Sequence, residues 1–152
     1  PMRLLPLVAT TLMLALGSAA VAQVPPAKVM EAREANFKQI GKAFKAIRDQ
    51  YSSGKPDAAV IQKNAAVIAN LAPQITSWFP AGTGPSAGKT EALPAIWERP
   101  ADFKAAANRL VTESAKLKTL ADAGDLAGAG AQVKAVGASC GGCHDNFKKK
   151  DD

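Results

Sequence analysis

From residue 126 to residue 147 the apolar positions fall at Leu126, Ala129, Val133, Val136, Cys140, Cys143 and Phe147, in steps of three and four. That spacing is the buried stripe of an amphipathic α-helix. Two members of the stripe are thiols, and they are the only two cysteines of the chain. Whatever core the chain builds, both sulfurs face it.

The same residues make up Cys140-Gly141-Gly142-Cys143-His144, the Cys-x-x-Cys-His pattern of covalent haem c attachment. Two thiols add across two haem vinyl groups. On a helix the imidazole of His144 lies four residues from Cys140 on the same face, placed to ligate the iron. Gly141 and Gly142 put no side chain between the anchors, so a porphyrin edge can approach the backbone. Three other readings are weaker. A thioredoxin-like pair sits early, at a strand-to-helix turn. A zinc site needs about four ligands, and two cysteines with one histidine fall short. The third is a structural disulfide between the two cysteines.

The rest of the chain repeats the helical period. Over 26–52, Met30, Arg33, Phe37, Ile40, Phe44, Ile47 and Tyr51 form a heptad seam, interrupted only by the charge of Arg33. Arg33 is either a cation snorkelling at the edge of the core or one facing a haem propionate. Pro25 and Pro26 suit a helix start, and Gly54 and Pro56 a stop. Asp57 is a plausible N-cap for a helix over 57–76, with Ile61, Ala65, Ile68, Ala72 and Ile75 inward; Pro73 should kink it or end it early. Residues 77–99 form a long connection flanked by Trp78 and Trp97, which are expected to anchor it to the bundle. A third long helix over 100–123 carries Phe103, Ala107, Leu110, Ser114, Leu117 and Ala121 on one face. Gly124 closes it, and Asp125 caps the helix that bears the cysteines. The fold class that follows is all-α, an antiparallel four-helix bundle with covalent haem near the C-terminus.

Residues 1–22 read as a cleaved signal peptide. Arg3 precedes an apolar stretch centred on Leu12–Leu16, and Ala20-Val21-Ala22 is a small-x-small cleavage site. Residues 23–152 are then a single domain. Losing Arg3 lowers the net charge from +6 to +5. A retained membrane anchor is the weaker reading, because the run is short. No later stretch reaches spanning length, so no membrane span is expected in the mature chain. Export fits a periplasmic haem protein. A basic chain without interleaved aromatics gives little support for nucleic acid, and export argues against it.

His144 is the only histidine, which rules out two-histidine ligation within one chain. Met2 and Met13 leave with the signal, so Met30 is the sole remaining thioether. A sixth ligand would make an electron carrier, and its absence a site for a small gas.

Several features together resemble the cytochromes c′. They are Cys140 to Asp145 at the C-terminus, Arg33 four residues before Phe37, Ile96-Trp97 ahead of the third long helix, and the turn at 121–125. The likeness covers essentially the whole mature chain. It implies five-coordinate, high-spin haem c, with His144 proximal and exposed towards solvent. Phe37 would cover the distal face and Arg33 would meet a propionate. The resemblance also implies binding of nitric oxide and carbon monoxide, discrimination against oxygen, and a homodimer through the first two helices. Low-spin relatives of the bundle place a methionine ligand at the position of Phe37, which has no donor atom. Met30 lies seven residues earlier, about 10.5 Å along the axis at about 1.5 Å per residue, and is expected to be core filler. The usual arginine four residues after the axial histidine is here Lys148, which keeps the charge but not the planar fork. Electron transfer to an acidic partner, through the exposed haem edge and Lys148 to Lys150, is a second reading. An enzyme such as a weak peroxidase is disfavoured, since the distal side has no histidine and no obvious acid–base pair.

Overall fold

The computed structural model describes residues 23–150; the expected signal peptide and the last two residues lie outside the described residues. Helix α1 spans Pro26–Ser52, α2 Ala58–Leu71, α3 Ala95–Glu98, α4 Pro100–Asp122 and α5 Leu126–Phe147. The four long ones form the expected bundle.

Their ends follow local chemistry. Pro26 and Pro100 occupy first-turn positions where a missing N–H costs nothing. Asp57 Oδ1 accepts from the N–H groups of Ala59 (2.8 Å) and Val60 (3.3 Å), and Asp125 Oδ1 from Gly128 N–H (2.8 Å). Gly54 and Gly124 stop α1 and α4 at positive φ, +73° and +70°. The second helix ends earlier than its apolar pattern predicts. α-Geometry stops at Leu71, and Ala72–Trp78 tighten into a 3-10 turn. Pro73 is the cause: it offers no N–H to the carbonyl four residues back, and its ring crowds that carbonyl. The tighter turn still buries Ala72 and Ile75. The long connection is also more structured than expected, since it contains the single turn of α3.

α1 packs along α2, α2 along α4, and α4 along α5, whereas α1 and α5 meet over only part of their length. Ile47, Ile61, Ile68, Leu117 and Val136 are fully buried at the centre, each stabilising the fold by roughly 1.5–3 kcal/mol. Ala65, Ala121 and Ala129 let the backbones approach. Gln132, which the stripe did not include, is also buried; its Nε2 donates to the carbonyl and carboxylate oxygens of Glu113 and ties α5 to α4. Among the described residues no helix is long and apolar enough to cross a membrane.

Candidate cofactor site

α1 and α5 are closed against one another at one end and parted at the other. At the closed end two rings of α1 lie on two glycines of α5. A Cβ on Gly130 would stand 2.8 Å from Tyr51 Cε1, and one on Gly137 3.2 Å from Phe44 Cζ. Tyr51 is also fixed by its hydroxyl, which donates to Leu126 O at 2.8 Å. Tyr51 and Phe44 are seven residues apart, as are Gly130 and Gly137, and the two helices run antiparallel. The next step of seven pairs Phe37 with His144. At that level a cavity of about 1090 Å³ lies between the helices.

Cys140, Cys143 and His144 line this cavity from α5. Phe37, Ile40, Gly41 and Phe44 line it from α1, with Phe103, Ala107 and Leu110 of α4 as its floor. Its volume lies just above the roughly 300–1,000 Å³ usual for ligand sites. Phe37, Ile40, Phe44, Phe103, Ala107 and Leu110 give it an apolar interior, as a porphyrin face requires, while Arg33, Thr90 and Glu91 add polar groups to its lining. A Cβ on Gly41 would meet nothing within 4 Å, so a flat group could lie directly against α1 there. The two thiols are not bridged. Burial raises both of their pKa values; Cys143 is pushed up to about 11, with the neighbouring Cys140 adding to the effect. Among the described residues no cluster of three or more His, Cys, Asp or Glu side chains is placed to hold a metal ion.

His144 is exposed on the last turn of α5. The chain does not trail into solvent beyond it. Leu93 N–H donates to Phe147 O (2.9 Å) and Lys149 N–H to Glu91 O (2.7 Å), while Lys148 Nζ pairs with Glu91 at 3.3 Å. The lysine-rich end thus begins as a clamp on the connection rather than as a free tail.

Arg33 does not snorkel. It is only 4% exposed. Nη1 donates to Thr83 Oγ1 (3.2 Å) and Trp78 O (3.4 Å), Nη2 to Thr83 O and Thr90 Oγ1 (3.0 Å each). Its guanidinium lies 4.4 Å from the ring centroid of Phe79. It also lines the cavity, and no carboxylate among the described residues pairs with it. A buried cation facing only neutral oxygens and a ring is costly until an anion joins it. The cavity beside it suits a group that carries acid substituents, as haem does. Met30 lines the same cavity, with its methyl against Gly88 of the connection.

The sequence reading brought Cys140, Cys143, His144, Phe37 and Arg33 to one place, and all five line one cavity. It missed Thr83 and Thr90, which hold Arg33, and the paired glycines of α5. Gly130 and Gly137 carried a legible signal, a spacing of seven on the helix facing two aromatics also seven apart.

A family model described as Cytochrome C′ matches residues 28–148. The cytochrome c′ of Rubrivivax gelatinosus is 36% identical over 126 residues, 82% of this chain and 97% of its own. A cytochrome c-556 of Agrobacterium tumefaciens strain B2A is 37% identical over 122 residues, 80% of this chain and 97% of its own. Among solved structures, the nitric oxide complex of a leucine-to-alanine mutant of cytochrome c prime from Alcaligenes xylosoxidans is similar with a TM-score of 0.75 at 30% identity. It covers 86% of this chain and 100% of that one.

Proposed function

We infer that this chain, which belongs to the cytochrome c′ family and carries covalent haem c, binds nitric oxide and carbon monoxide between α1 and α5. The observation that carries this reading is the register of the two helices, which sets Phe37 across the cavity from His144. Cys140 and Cys143 would hold the haem through thioethers, and His144 would ligate its iron. When bound, haem c would supply an iron able to take up a diatomic ligand. Phe37 walls the α1 side of the cavity with hydrocarbon. It offers no N–H or O–H, so the wall admits small neutral gases and gives no help to a ligand that needs a hydrogen-bond donor. Arg33 brings its unmatched charge to a propionate while keeping its bonds to the connection.

The chain is exported to the periplasm by its first 22 residues and pairs as a homodimer through α1 and α2, as family membership suggests. Electron transfer to an acidic partner is a compatible second role, favoured by the exposure of Lys149 and Lys150 beside the motif. Ferrous absorption spectra with and without carbon monoxide test the gas-binding reading. A high-spin spectrum that shifts with carbon monoxide is expected. A low-spin spectrum indifferent to it would mean that Met30 ligates the iron and that the protein is an electron carrier.

A further inference from the structure

Phe37 does not stand alone in the cavity wall. Its ring meets Trp78 edge-on, with centroids 5.2 Å apart at 88°, and leans on Phe79 at 6.0 Å and 56°. Phe37 and Phe79 line the cavity and Trp78 does not, so Trp78 stands behind Phe37. Trp78 is itself held. It ends the 3-10 turn that Pro73 imposes, and its carbonyl accepts from Arg33 Nη1. Arg33 lies one helical turn before Phe37 on α1. One face of one helix therefore carries both the ring that covers the cavity and the cation that fixes the backing of that ring. Phe79, the second neighbour, is pinned by the Arg33 guanidinium on one side and by Phe103 at 5.0 Å on another.

A diatomic molecule reaches the distal face only if Phe37 turns or shifts. In a close-packed wall a ring moves only as far as its neighbours give way. The geometry points to Trp78 as a positioning residue that sets how far Phe37 turns aside, and with it the rate of ligand entry. This rests on Phe37 covering the iron. Arg33 enters as the anchor of the wall, a part separate from its charge towards a propionate.

The test is the rate of carbon monoxide association with the ferrous holoprotein, measured by flash photolysis on Trp78→Ala, Trp78→Phe and Phe37→Ala. Trp78→Ala should bind about two- to twelvefold faster, the range an edge-to-face aromatic contact is worth. Trp78→Phe keeps an aromatic edge and should stay within about twofold of the parent. The spectrum of the unliganded ferrous protein should not change, because the His144 side is untouched; a general loosening of the fold would move it. If the alanine variant does not fold, Trp78→Leu fills most of the volume without the aromatic edge and should also bind faster. The double variant Phe37→Ala with Trp78→Ala should be no faster than Phe37→Ala alone; independent, multiplying effects would overturn the proposal. It is also overturned if Trp78→Ala and Trp78→Leu bind at the parent rate while Phe37→Ala is faster, and the distal cover then stands without it. Unchanged rates in Phe37→Ala as well would remove the cover itself.

Discussion

The two ends of the α1–α5 interface use one heptad register for opposite purposes. Towards the chain reversals, Tyr51 and Phe44 lie on Gly130 and Gly137, and the helices nearly touch. One repeat further, the register brings Phe37 opposite His144, where an exposed imidazole stands in place of a glycine and the helices part around a cavity. Glycine where a ring must fit makes a seam; a thiol-bearing turn in the same phase makes a socket. The closed end carries stability, and the open end carries chemistry that stability alone would not favour. Arg33, buried without a carboxylate partner, and the two half-buried thiols all face that socket.

The most severe way to break this contrast is to remove the thiols. Cys140→Ser with Cys143→Ser should abolish covalent attachment, so that haem staining of the chain disappears on a denaturing gel. At the closed end, Gly137→Leu forces a branched side chain into the space of the Phe44 ring. It should cost about 1–3 kcal/mol in chemical denaturation of the holoprotein. Arg33→Leu strips the donors from Thr83 O, Thr83 Oγ1 and Thr90 Oγ1. The threonine hydroxyls keep Pro80 O and Ala92 N–H as partners, so the cost falls mainly on the buried Thr83 carbonyl, about 1–3 kcal/mol, again read by denaturation. The smallest effect should be the most telling. Gly41→Ala adds a methyl facing only the cavity, so the apoprotein should gain up to about 1 kcal/mol of helix propensity. The holoprotein should gain less, because the methyl then meets the haem.

The bundle was legible in the sequence because each long helix wrote its buried face in steps of three and four. Caps at Asp57 and Asp125 and stops at Gly54 and Gly124 are local chemistry that single residues announce. The motif at Cys140–His144 identified its cofactor because few chemistries need two thiols and an imidazole in that order. Other features depended on residues far apart in the chain. Arg33 read as an interruption of an apolar seam, and nothing near it pointed to Thr83 and Thr90, fifty or more residues on. Glycines add nothing to an apolar stripe, so the seam at Gly130 and Gly137 shows only once the facing rings are known. Lys148 read as the start of a solvated or docking tail because its partner Glu91 is on the connection. The inward residues of the second helix continue through the 3-10 turn, whose tighter pitch still buries Ile75, so the apolar pattern runs to residue 76 while Pro73 marks the early end that the structure has.

Ferric electron paramagnetic resonance of the purified holoprotein probes the socket most directly, since it reports the number and strength of axial ligands. A high-spin signal is predicted, as one imidazole opposite an apolar ring requires. A low-spin ferric signal from iron held on both faces would contradict the account, because a side chain would then occupy the space assigned to the gas.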